Sequence, residues 1–422
     1  MQNSSLTSEL NRVISDGRIP EDDRDNHLHP DHLYFTSEMG PQEAFSDLVE
    51  TMTDHVLPAT RKSKREDYRA CGEQLLLNLS RSTLARSWLL ISGNSSHYNA
   101  EANGEFPRVF TSYRMVHLWL RYLLENDLLE FKQGKKYKEN PVLNRYYPKQ
   151  DFLRQLIKFA LHIESPIRPP YLRLSKPNEA FIGYDWEEKY GNQKLLNQYN
   201  NFAKTQSWAL KAPIVQIFTY THNSNGRLHT PFQNLPSRSY SIRINTQING
   251  NPIAEVDFNA NHLRLFLAKK GLPYDGDDPY KVIAKEAGVE RWEVKGFTTI
   301  AFNCESFSKA LGAAFGRRGV HPAKSKKIHQ ALESIYPNLN FFSGFGIDAM
   351  NKEGEILMNV IAKGMDAGIF CLPIHDAIAV EAQHAEWAKE AMLQAWSEEV
   401  NDGIWCIHNA TTVVDIKYGD SK

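Results

Sequence analysis

Two aspartates in the second half of the chain stand where a carboxylate could do chemistry. Asp257 lies in the largely apolar run 253–258, which predicts a β-strand, and a helical pattern follows this run at once. Asp376 lies in CLPIHDAIAV, where two short apolar runs predict a hairpin with His375 and Asp376 at its tip. The two aspartates are far apart in the sequence, so only tertiary folding can bring them together.

Two carboxylates at neighbouring strand tips repel each other, and an isolated close pair keeps one of them protonated. Divalent cations remove that cost, and carboxylate oxygens are hard ligands that suit Mg²⁺. Two such ions about 4 Å apart can activate an attacking hydroxyl group and stabilise a leaving pyrophosphate. The pair therefore predicts a site for two Mg²⁺ ions, with Mn²⁺ as a substitute. The alternative is a turn aspartate and an unrelated buried aspartate, because aspartate is common in turns.

The composition restricts the class of protein without identifying it. A chain of 422 residues predicts two or three domains, and 41% hydrophobic with 23% charged residues is typical of a folded protein. No apolar run approaches the roughly 18 residues of a membrane span, and the polar, acidic start has no signal-peptide core. We therefore expect a cytoplasmic protein with no membrane partner. A net charge of −1 neither favours nor excludes nucleic acid.

The stretch ESPIRPPYLRLSKPN at 164–178 contains four prolines and predicts a linker, at which we place the main domain boundary. Before it, TSYRMVHLWLRYLLENDLLEF predicts an amphipathic helix with Ser112 as its N-cap. The apolar stripe of this helix comprises Val116, Leu120, Leu123 and Leu124. Its opposite face carries Arg114, His117 and Arg121.

The segment KQGKKYKEN follows this helix and predicts a basic hairpin that turns at Gly134. Helices, then an amphipathic helix, then a basic hairpin is an order that resembles a winged helix-turn-helix. The resemblance implies that Arg114, His117 and Arg121 bind DNA, with the helix in the major groove and the wing on phosphates. The alternative is a helical domain with a solvated basic loop.

Four blocks after the linker resemble the family A DNA polymerases, the bacterial polymerase I type. VDFNANHLRLFLA is similar to their motif A, and LPIHDAIAV is similar to their motif C. NGRLHTPFQNLPSR resembles the signature ahead of motif A, and DPYKVIAKEAGVERWEVKGFTTIAFNCESF resembles the fingers helix and its approach. The blocks follow one another in the family's order and extend over most of the chain after position 225.

The resemblance implies a role for each matching residue. Asp257, Asp376 and the carbonyl group of Phe258 would hold the metal ions. Arg291 and Lys295, four positions apart on one helical face, would hold the incoming triphosphate, because a polyanion requires cations on a rigid element. The residues implied to contact the primer–template or its terminal base pair are Arg227, Gln233, Asn234 and His375. Arg264 would support the strand tip.

Three departures from the family concern the pocket for the sugar and base. His262 occupies the position of the family's sugar-discriminating acid, and Thr299 and Asn303 stand where the family has aromatic residues. We therefore leave open whether the nucleotide bound there carries deoxyribose or ribose. Motif C also continues with Ala377 in place of the usual glutamate, and the short distance between motifs A and C predicts reduced fingers.

These observations predict an α+β protein with four parts. A polar leader with helices spans 1–60, and a mostly helical, winged-helix-like domain spans 61–163. A linker with thumb-like helices spans 164–224, and a right-hand polymerase palm with an antiparallel sheet and reduced helical fingers spans 225–422. The predicted activity is DNA polymerase-like nucleotidyl transfer to a primer 3′-hydroxyl. The alternatives are a primase-like or template-independent nucleotidyltransferase, and a DNA-binding replication initiator or regulator with an inactive palm.

Overall fold

The computed structural model describes residues 4–20, 27–31, 33–35, 42–95, 98, 109–110, 112–134, 143–165, 170–174, 190–219, 221–238, 240–403, 405–406 and 409–419. Within these ranges the protein combines many helices with several small sheets, which confirms the predicted α+β class.

The helices are α1 (Ser4–Asp16), α2 (Gln42–Val56), α3 (Arg65–Ala85), α4 (Tyr113–Glu125), α5 (Gln150–Ala160), α6 (Tyr190–Lys204), α7 (Asn261–Lys269), α8 (Pro279–Ala287), α9 (Arg291–Ala301), α10 (Phe307–Arg318), α11 (Pro322–Ile335), α12 (Phe345–Asp366) and α13 (Ala385–Val400). The strands are β1 (His27–Leu28), β2 (Tyr34–Phe35), β3 (Trp88–Ile91), β4 (Leu129–Lys132), β5 (Asn144–Pro148), β6 (Ile163–Glu164), β7 (Leu172–Leu174), β8 (Val215–Phe218), β9 (Asn225–His229), β10 (Gln247–Ile248), β11 (Asn251–Phe258), β12 (Leu372–Ile374), β13 (Ala377–Glu381) and β14 (Val414–Tyr418).

A four-stranded sheet and the helices around α3 form the amino-terminal region. The strand order is β1–β3–β5–β4, and β4 and β5 form an antiparallel pair. Helix α3 contacts α2, α4 and α5 and is buried along much of its length, because its apolar residues do not keep to one face. It ends at Arg86, which has a φ of +49° and donates its backbone N–H to the carbonyl groups of Ser82 and Thr83.

Helix α4 begins as the sequence predicts. The hydroxyl group of Ser112 accepts a hydrogen bond of 3.4 Å from the backbone N–H of Met115, which confirms the predicted N-cap. Val116, Leu120 and Leu123 are buried, as the stripe predicts. The strands β4 and β5 follow, whereas residues 135–142 of the predicted basic turn lie outside the described residues.

The central sheet of the carboxyl-terminal region is built around β11. This strand pairs antiparallel with β13 on one side and with β14 on the other, and β12 continues the sheet beyond β13. Ile253, Ala254 and Val256 of β11 are fully buried, and α13 packs against the same three strands, β11, β13 and β14. A strand held on both edges and covered by a helix keeps its end in a fixed position.

A second sheet, β7–β8–β9, lies beside α12. Gly226 on β9 and Gly354 on α12 permit this close contact, because a methyl group at position 354 would overlap the carbonyl oxygen of Gly226. Helix α12 thereby brings its side chains next to those of β9.

Helices α8 to α11 pack against one another and form the helical group that the sequence predicts as fingers. Helix α8 begins at the N-cap Asp278, with Pro279 as its first residue. Helix α9 begins with a capping box, in which the side chains of Glu290 and Glu293 accept hydrogen bonds from each other's backbone N–H groups. The capping box determines the residue at which α9 starts, and therefore the directions in which the side chains of its first two turns point.

Two apolar clusters hold the described residues together. One is confined to residues between Leu33 and Ile163. The other extends from Val13, Leu84 and Trp88 into the carboxyl-terminal region. Helix α6, in the segment predicted as thumb-like, belongs to this larger cluster; its thumb role stays a prediction. Among the described residues, no helix is long and apolar enough to cross a membrane.

Gly354→Ala is expected to lower the free energy of unfolding by about 1–3 kcal/mol, because the added methyl group must displace the backbone of β9. Gly312→Ala in α10 is the matched control. Its methyl group meets nothing within 4 Å, so we expect a gain of about 0.5–1 kcal/mol from helix propensity. Urea unfolding of the two variants tests the contrast, and equal stability of Gly354→Ala and the wild type would contradict it.

Candidate active site

The structure brings Asp257 and Asp376 together at the tips of adjacent strands. In the antiparallel pairing of β11 with β13, Asp257 is the partner of Ala377, so Asp376 precedes the residue directly opposite. Adjacent strands lie about 4.8 Å apart, so both carboxylates lie at the same end of the sheet, close to each other. The local sequence patterns predicted the place of each aspartate at a strand end, and the family resemblance implied that the two act together.

His375 and Asp376 form the two-residue turn of the hairpin. Ile374 pairs with Ala377, which leaves only these two residues in the loop. His375 adopts a φ of +57°, the left-handed conformation that two-residue hairpin loops require in at least one central position. The turn is tight, so the Asp376 side chain has little freedom to move away from Asp257.

The electrostatic environment penalises negative charge on both aspartates. Burial, and then the charge of Asp376, raises the pKa of Asp257 to about 8, although this residue stays accessible to solvent on one side. Burial and the charge of Glu353 raise the pKa of Asp376, and Arg227 acts in the opposite direction. The positive charge of Lys295 opposes the increase of the pKa in both aspartates without cancelling it. The site therefore has more negative charge than its surroundings balance.

A third carboxylate, Glu353 of α12, lies next to this pair and is almost fully buried. Arg227 of β9 donates two hydrogen bonds to its Oε2 atom, and the one from Nε measures 2.8 Å. The Oε1 atom lies 3.0 Å from Nε2 of His262 and accepts a hydrogen bond of 3.1 Å from Asn261. Despite its burial, these charged partners lower the pKa of Glu353 to about 2.

Sequence reasoning missed Glu353. A signal was present, because Glu353 falls on the same helical stripe as Ala349, Ile356 and Leu357, which are all buried. A carboxylate on an apolar stripe requires a charged partner, since its burial is otherwise too costly. The identity of that partner is not readable from the helix, because Arg227 is 126 positions away.

Arg291 and Lys295 lie in the first two turns of α9, but their surroundings differ. The Nε atom of Arg291 donates a hydrogen bond of 2.6 Å to Asp278, the N-cap of α8. Its guanidinium also lies over the ring of Tyr280, 5.5 Å from the centroid. Lys295 is exposed and has no carboxylate within 4 Å among the described residues. Of the two, Lys295 has the charge that is less compensated.

Thr299 continues the same face of α9, and Asn303 lies in the turn just after the helix ends. The Thr299 hydroxyl donates to the carbonyl group of Lys295 at 2.7 Å, and the Asn303 amide donates to that of Thr299 at 2.9 Å. Both side chains therefore bond to the backbone of α9. Asn303 also covers Gly346 at the start of α12, so it lies where two helices meet.

A cleft of about 990 Å³ opens in front of the paired carboxylates. Asp257, Gln233, Asn234, His375 and Asp376 all line it, so it collects five of the residues predicted from the sequence. The Gln233 amide lies 2.8 Å from Nδ1 of His229, whereas its Oε1 atom is buried without a hydrogen bond. Burial and the charge of Arg227 lower the pKa of His375.

Three further predicted residues, all on α4, do not line this cleft. Arg114 is exposed, and Arg121 is exposed with its Nε 3.7 Å from the carboxylate of Glu125. The Nε2 atom of His117 lies 3.2 Å from the carbonyl oxygen of Ser92. The structure thus puts these residues on a separate surface of the protein.

Phe258 and Arg264 frame the strand tip from behind. The Phe258 side chain is buried and its residue pairs with Val414 of β14. Arg264 is fully buried and donates to the carbonyl groups of Asn259, Tyr274, Gly276 and Asp277, which is the supporting role that we expected.

The donor set of the site consists of the two aspartates. The described residues contain no group of three or more histidine, cysteine, aspartate or glutamate side chains that could hold a metal ion. Two carboxylates with raised pKa values nevertheless fit a divalent cation, because the cation would balance their charge.

No known protein family and no curated protein matches the chain. A comparison with solved structures finds the POL domain of Pol1 from M. smegmatis, in a complex with DNA primer-template and dNTP. The two are 13% identical with a TM-score of 0.31, over 99% of this chain and 69% of the other. At these values the likeness establishes neither a common fold nor a common function.

Glu353→Gln is expected to lower the free energy of unfolding at pH 7 by about 3–5 kcal/mol, because Arg227 loses its charged partner in a buried place. The pKa of Glu353 is depressed in the folded state. Its contribution is therefore complete above about pH 4.5 and is lost as the pH falls towards about 2.

Chemical denaturation between pH 7 and pH 2 measures this dependence. The variant should show a shallower loss of stability than the wild type below pH 4.5. Glu286→Gln, an exposed position on α8, is the control and should reproduce the wild-type profile. Parallel plots of unfolding free energy against pH for Glu353→Gln and the wild type would mean that the ionised carboxylate of Glu353 does not stabilise the folded state.

Proposed function

We propose that the protein is a DNA polymerase-like nucleotidyltransferase that adds nucleoside triphosphates to the 3′-hydroxyl of a primer–template. The proposal depends on one observation above the others. Asp257 and Asp376 lie together at the ends of two adjacent strands, their pKa values are raised, and the charge of Lys295 reaches both. A polyphosphate substrate and divalent cations complement this combination of charges.

Asp257, Asp376 and the carbonyl group of Phe258 would hold two Mg²⁺ ions, with Mn²⁺ as a substitute. When bound, these ions supply Lewis-acid activation of the attacking hydroxyl and charge stabilisation of the leaving pyrophosphate. The protein's contribution is to fix the two carboxylates. β11 is paired on both edges, and Asp376 lies in a two-residue turn, so little reorganisation is needed when the substrates bind.

Lys295 is proposed to bind the triphosphate, because its ammonium group is exposed and forms no ion pair in the described part of the chain, while its charge reaches both aspartates. Arg291 would assist from the preceding turn of α9, where its hydrogen bond to Asp278 holds the guanidinium in one orientation. Thr299 continues this face towards the base and sugar, and Asn303 follows just after the helix ends.

Arg227 and His262 have a positioning role in the proposal. Arg227 balances the charge of Glu353 and lowers the pKa of Asp376, so it favours the ionised form that binds a metal. His262 contacts both Arg227 and Glu353 and occupies the position proposed to face the sugar. Which sugar this arrangement admits is decided by assay with dNTPs and NTPs in parallel.

The residues proposed to contact the end of the primer–template line the cleft in front of the carboxylates, namely Gln233, Asn234 and His375. Amide side chains can donate to the acceptors that all base pairs present in the minor groove, so they bind duplex ends with little sequence preference.

A second DNA-binding surface is proposed on α4. The order α3, β3, α4 and then the β4–β5 hairpin, with β5 between β3 and β4 in the sheet, supports a winged-helix-like unit. Arg114 and Arg121 are exposed on α4, the proposed recognition helix, and His117 lies between them. Such a unit would bind duplex away from the carboxylates.

Asp257→Asn and Asp376→Asn are each expected to reduce nucleotide incorporation by more than about 100-fold, since changes outside a metal's own ligands already cost about 10–100-fold. Asp348→Asn, an exposed aspartate on α12, should leave incorporation unchanged. Primer extension with labelled dNTPs or NTPs, with and without template, measures the effect.

The same assay with Mg²⁺ chelated should show no incorporation, and added Mg²⁺ or Mn²⁺ should restore it. Unchanged incorporation in both aspartate variants would refute the assignment of the site. DNA binding without any incorporation by the wild type would favour a DNA-binding protein with an inactive palm.

Lys295→Ala is expected to raise the KM for the nucleotide about 10–100-fold, the effect of one lost charge-assisted hydrogen bond. Lys295→Arg should recover part of the loss, because it retains the positive charge. Lys285→Ala on α8, also exposed, is the matched control and should leave KM unchanged. A fall in kcat at constant KM would instead assign Lys295 a role in the chemical step.

A further inference from the structure

The cleft in front of Asp257 and Asp376 has a wall that the sequence did not predict. Five arginines line it and come from three separate parts of the chain: Arg12 and Arg18 at α1, Arg86 at the end of α3, and Arg238 and Arg243 before β11. Beyond the paired aspartates, only Asp16 and Glu255 contribute carboxylates to the lining. The wall is therefore positively charged and joins the amino-terminal region to the candidate active site.

We propose that this arginine wall binds the backbone phosphates of the strand whose 3′ end is presented to Asp257 and Asp376. The amino-terminal region would then be part of the strand-binding channel of the enzyme. The inference rests on the proposed function for the identity of the strand, whereas the binding itself is testable without catalysis.

The first support is that contacts between separate segments hold the arginines of the wall in place. The ring of Tyr240 is buried, and the guanidinium carbons of Arg86 and Arg12 lie 5.1 and 5.7 Å from its centroid. The carboxylate of Glu9 binds Arg12 and accepts the backbone N–H of Ser241 at 3.2 Å. These contacts attach α1 and the end of α3 to the loop before β11, so the arginines have fixed positions relative to the aspartates.

The second support is the uncompensated charge of two of the arginines. Arg86 donates to the carbonyl group of Arg18 at 2.9 Å, whereas its Nη1 atom is buried without a hydrogen-bond partner. Arg238 is exposed. Neither has a carboxylate within 4 Å among the described residues. By contrast, Arg243 is paired through two hydrogen bonds with Glu255. Arg12 and Arg18 are likewise paired, with Glu9 and Asp16.

A buried guanidinium N–H without an acceptor is costly, and a phosphate oxygen is an acceptor that suits it. Gln233, which also lines the cleft, is nine-tenths buried and has an Oε1 atom without a hydrogen bond. Both orphaned polar groups belong to residues that line the same cleft. A nucleic-acid strand would satisfy both, because its phosphate oxygens accept from the guanidinium and its base N–H or sugar O–H groups donate to the amide oxygen.

The position of the wall favours a strand over the incoming nucleotide. No residue of helices α8 to α11 lines this cleft, so Lys295 approaches the carboxylates from another direction. The phosphates bound by the wall are therefore different from those proposed to bind Lys295. A chain of phosphates that ends at the carboxylates fits arginines that come from several segments along one cleft.

The test measures equilibrium binding of a fluorescently labelled primer–template by anisotropy at several salt concentrations, with metal chelated and no nucleotide. Arg238→Gln and Arg86→Gln are each expected to weaken binding at least about tenfold and to reduce the slope of log K against log salt by about 1. Arg238→Lys should keep the wild-type slope, because it keeps the charge. Arg154→Gln on α5, exposed and paired with Asp151, is the control.

Arg238 is exposed, so its variant keeps the test decisive even if Arg86→Gln does not fold. Unchanged affinity and salt slope in Arg238→Gln would overturn the proposal. So would weakened binding of a nucleoside triphosphate alone with unchanged binding of primer–template, since the wall would then be a nucleotide site. Arginine-dependent strand binding by a wild type that incorporates no nucleotide would refute the proposed function and leave this inference standing.

Discussion

The pairing of β11 with β13 is the constraint on which the rest of the site depends. It brings two carboxylates to the ends of adjacent strands, where burial raises both pKa values. The charge of Asp376 adds to the increase for Asp257, and the charge of Glu353 adds to that for Asp376. A pair of like charges in this position is unfavourable unless cations balance it. The hydrogen bonds of the sheet and the buried side chains of β11 hold the strands together against this repulsion. The buried core behind β11 thus holds the two carboxylates close together despite their repulsion. The positively charged side chains around the site help to balance the same negative charge.

The compensating charges come from three directions. Arg227 on β9 and the nearby Glu353 on α12 form a buried pair that lies beside Asp376. Lys295 approaches from α9, within the helical group α8 to α11. The arginine wall approaches from the amino-terminal region. Arg227 has a full carboxylate partner in Glu353. Within the arginine wall, Arg12, Arg18 and Arg243 are also paired with carboxylates. Lys295, Arg86 and Arg238 form no ion pair among the described residues, and unpaired positive charge of this kind attracts polyanionic ligands.

The amino-terminal region consequently has two surfaces with different relations to the site. One is the exposed face of α4, which is separate from the cleft and belongs to a unit with the order of a winged helix. The other comprises α1 and the end of α3, where Arg86 and Tyr240 join the two halves of the molecule. An apolar cluster that runs from Val13 and Leu84 into the carboxyl-terminal region makes this junction rigid. A module attached in this way can present phosphate-binding groups at a fixed distance from the carboxylates.

The sequence by itself determined many of the elements and the place of each aspartate at a strand end, whereas the long-range pairing of β11 with β13 brought the two together. Strand and hairpin patterns, the N-cap Ser112 and the tip position of Asp376 are local signals, encoded within a few residues. Tertiary structure decided which charges surround the aspartates. Glu353 could be suspected from its place on an apolar stripe, but its partner Arg227 could not be identified, and nothing local connects Arg86 with the cleft. Periodicity and capping depend on residues that are close in the sequence. Charge partners depend on how distant segments pack against each other, so no single segment of the sequence identifies them.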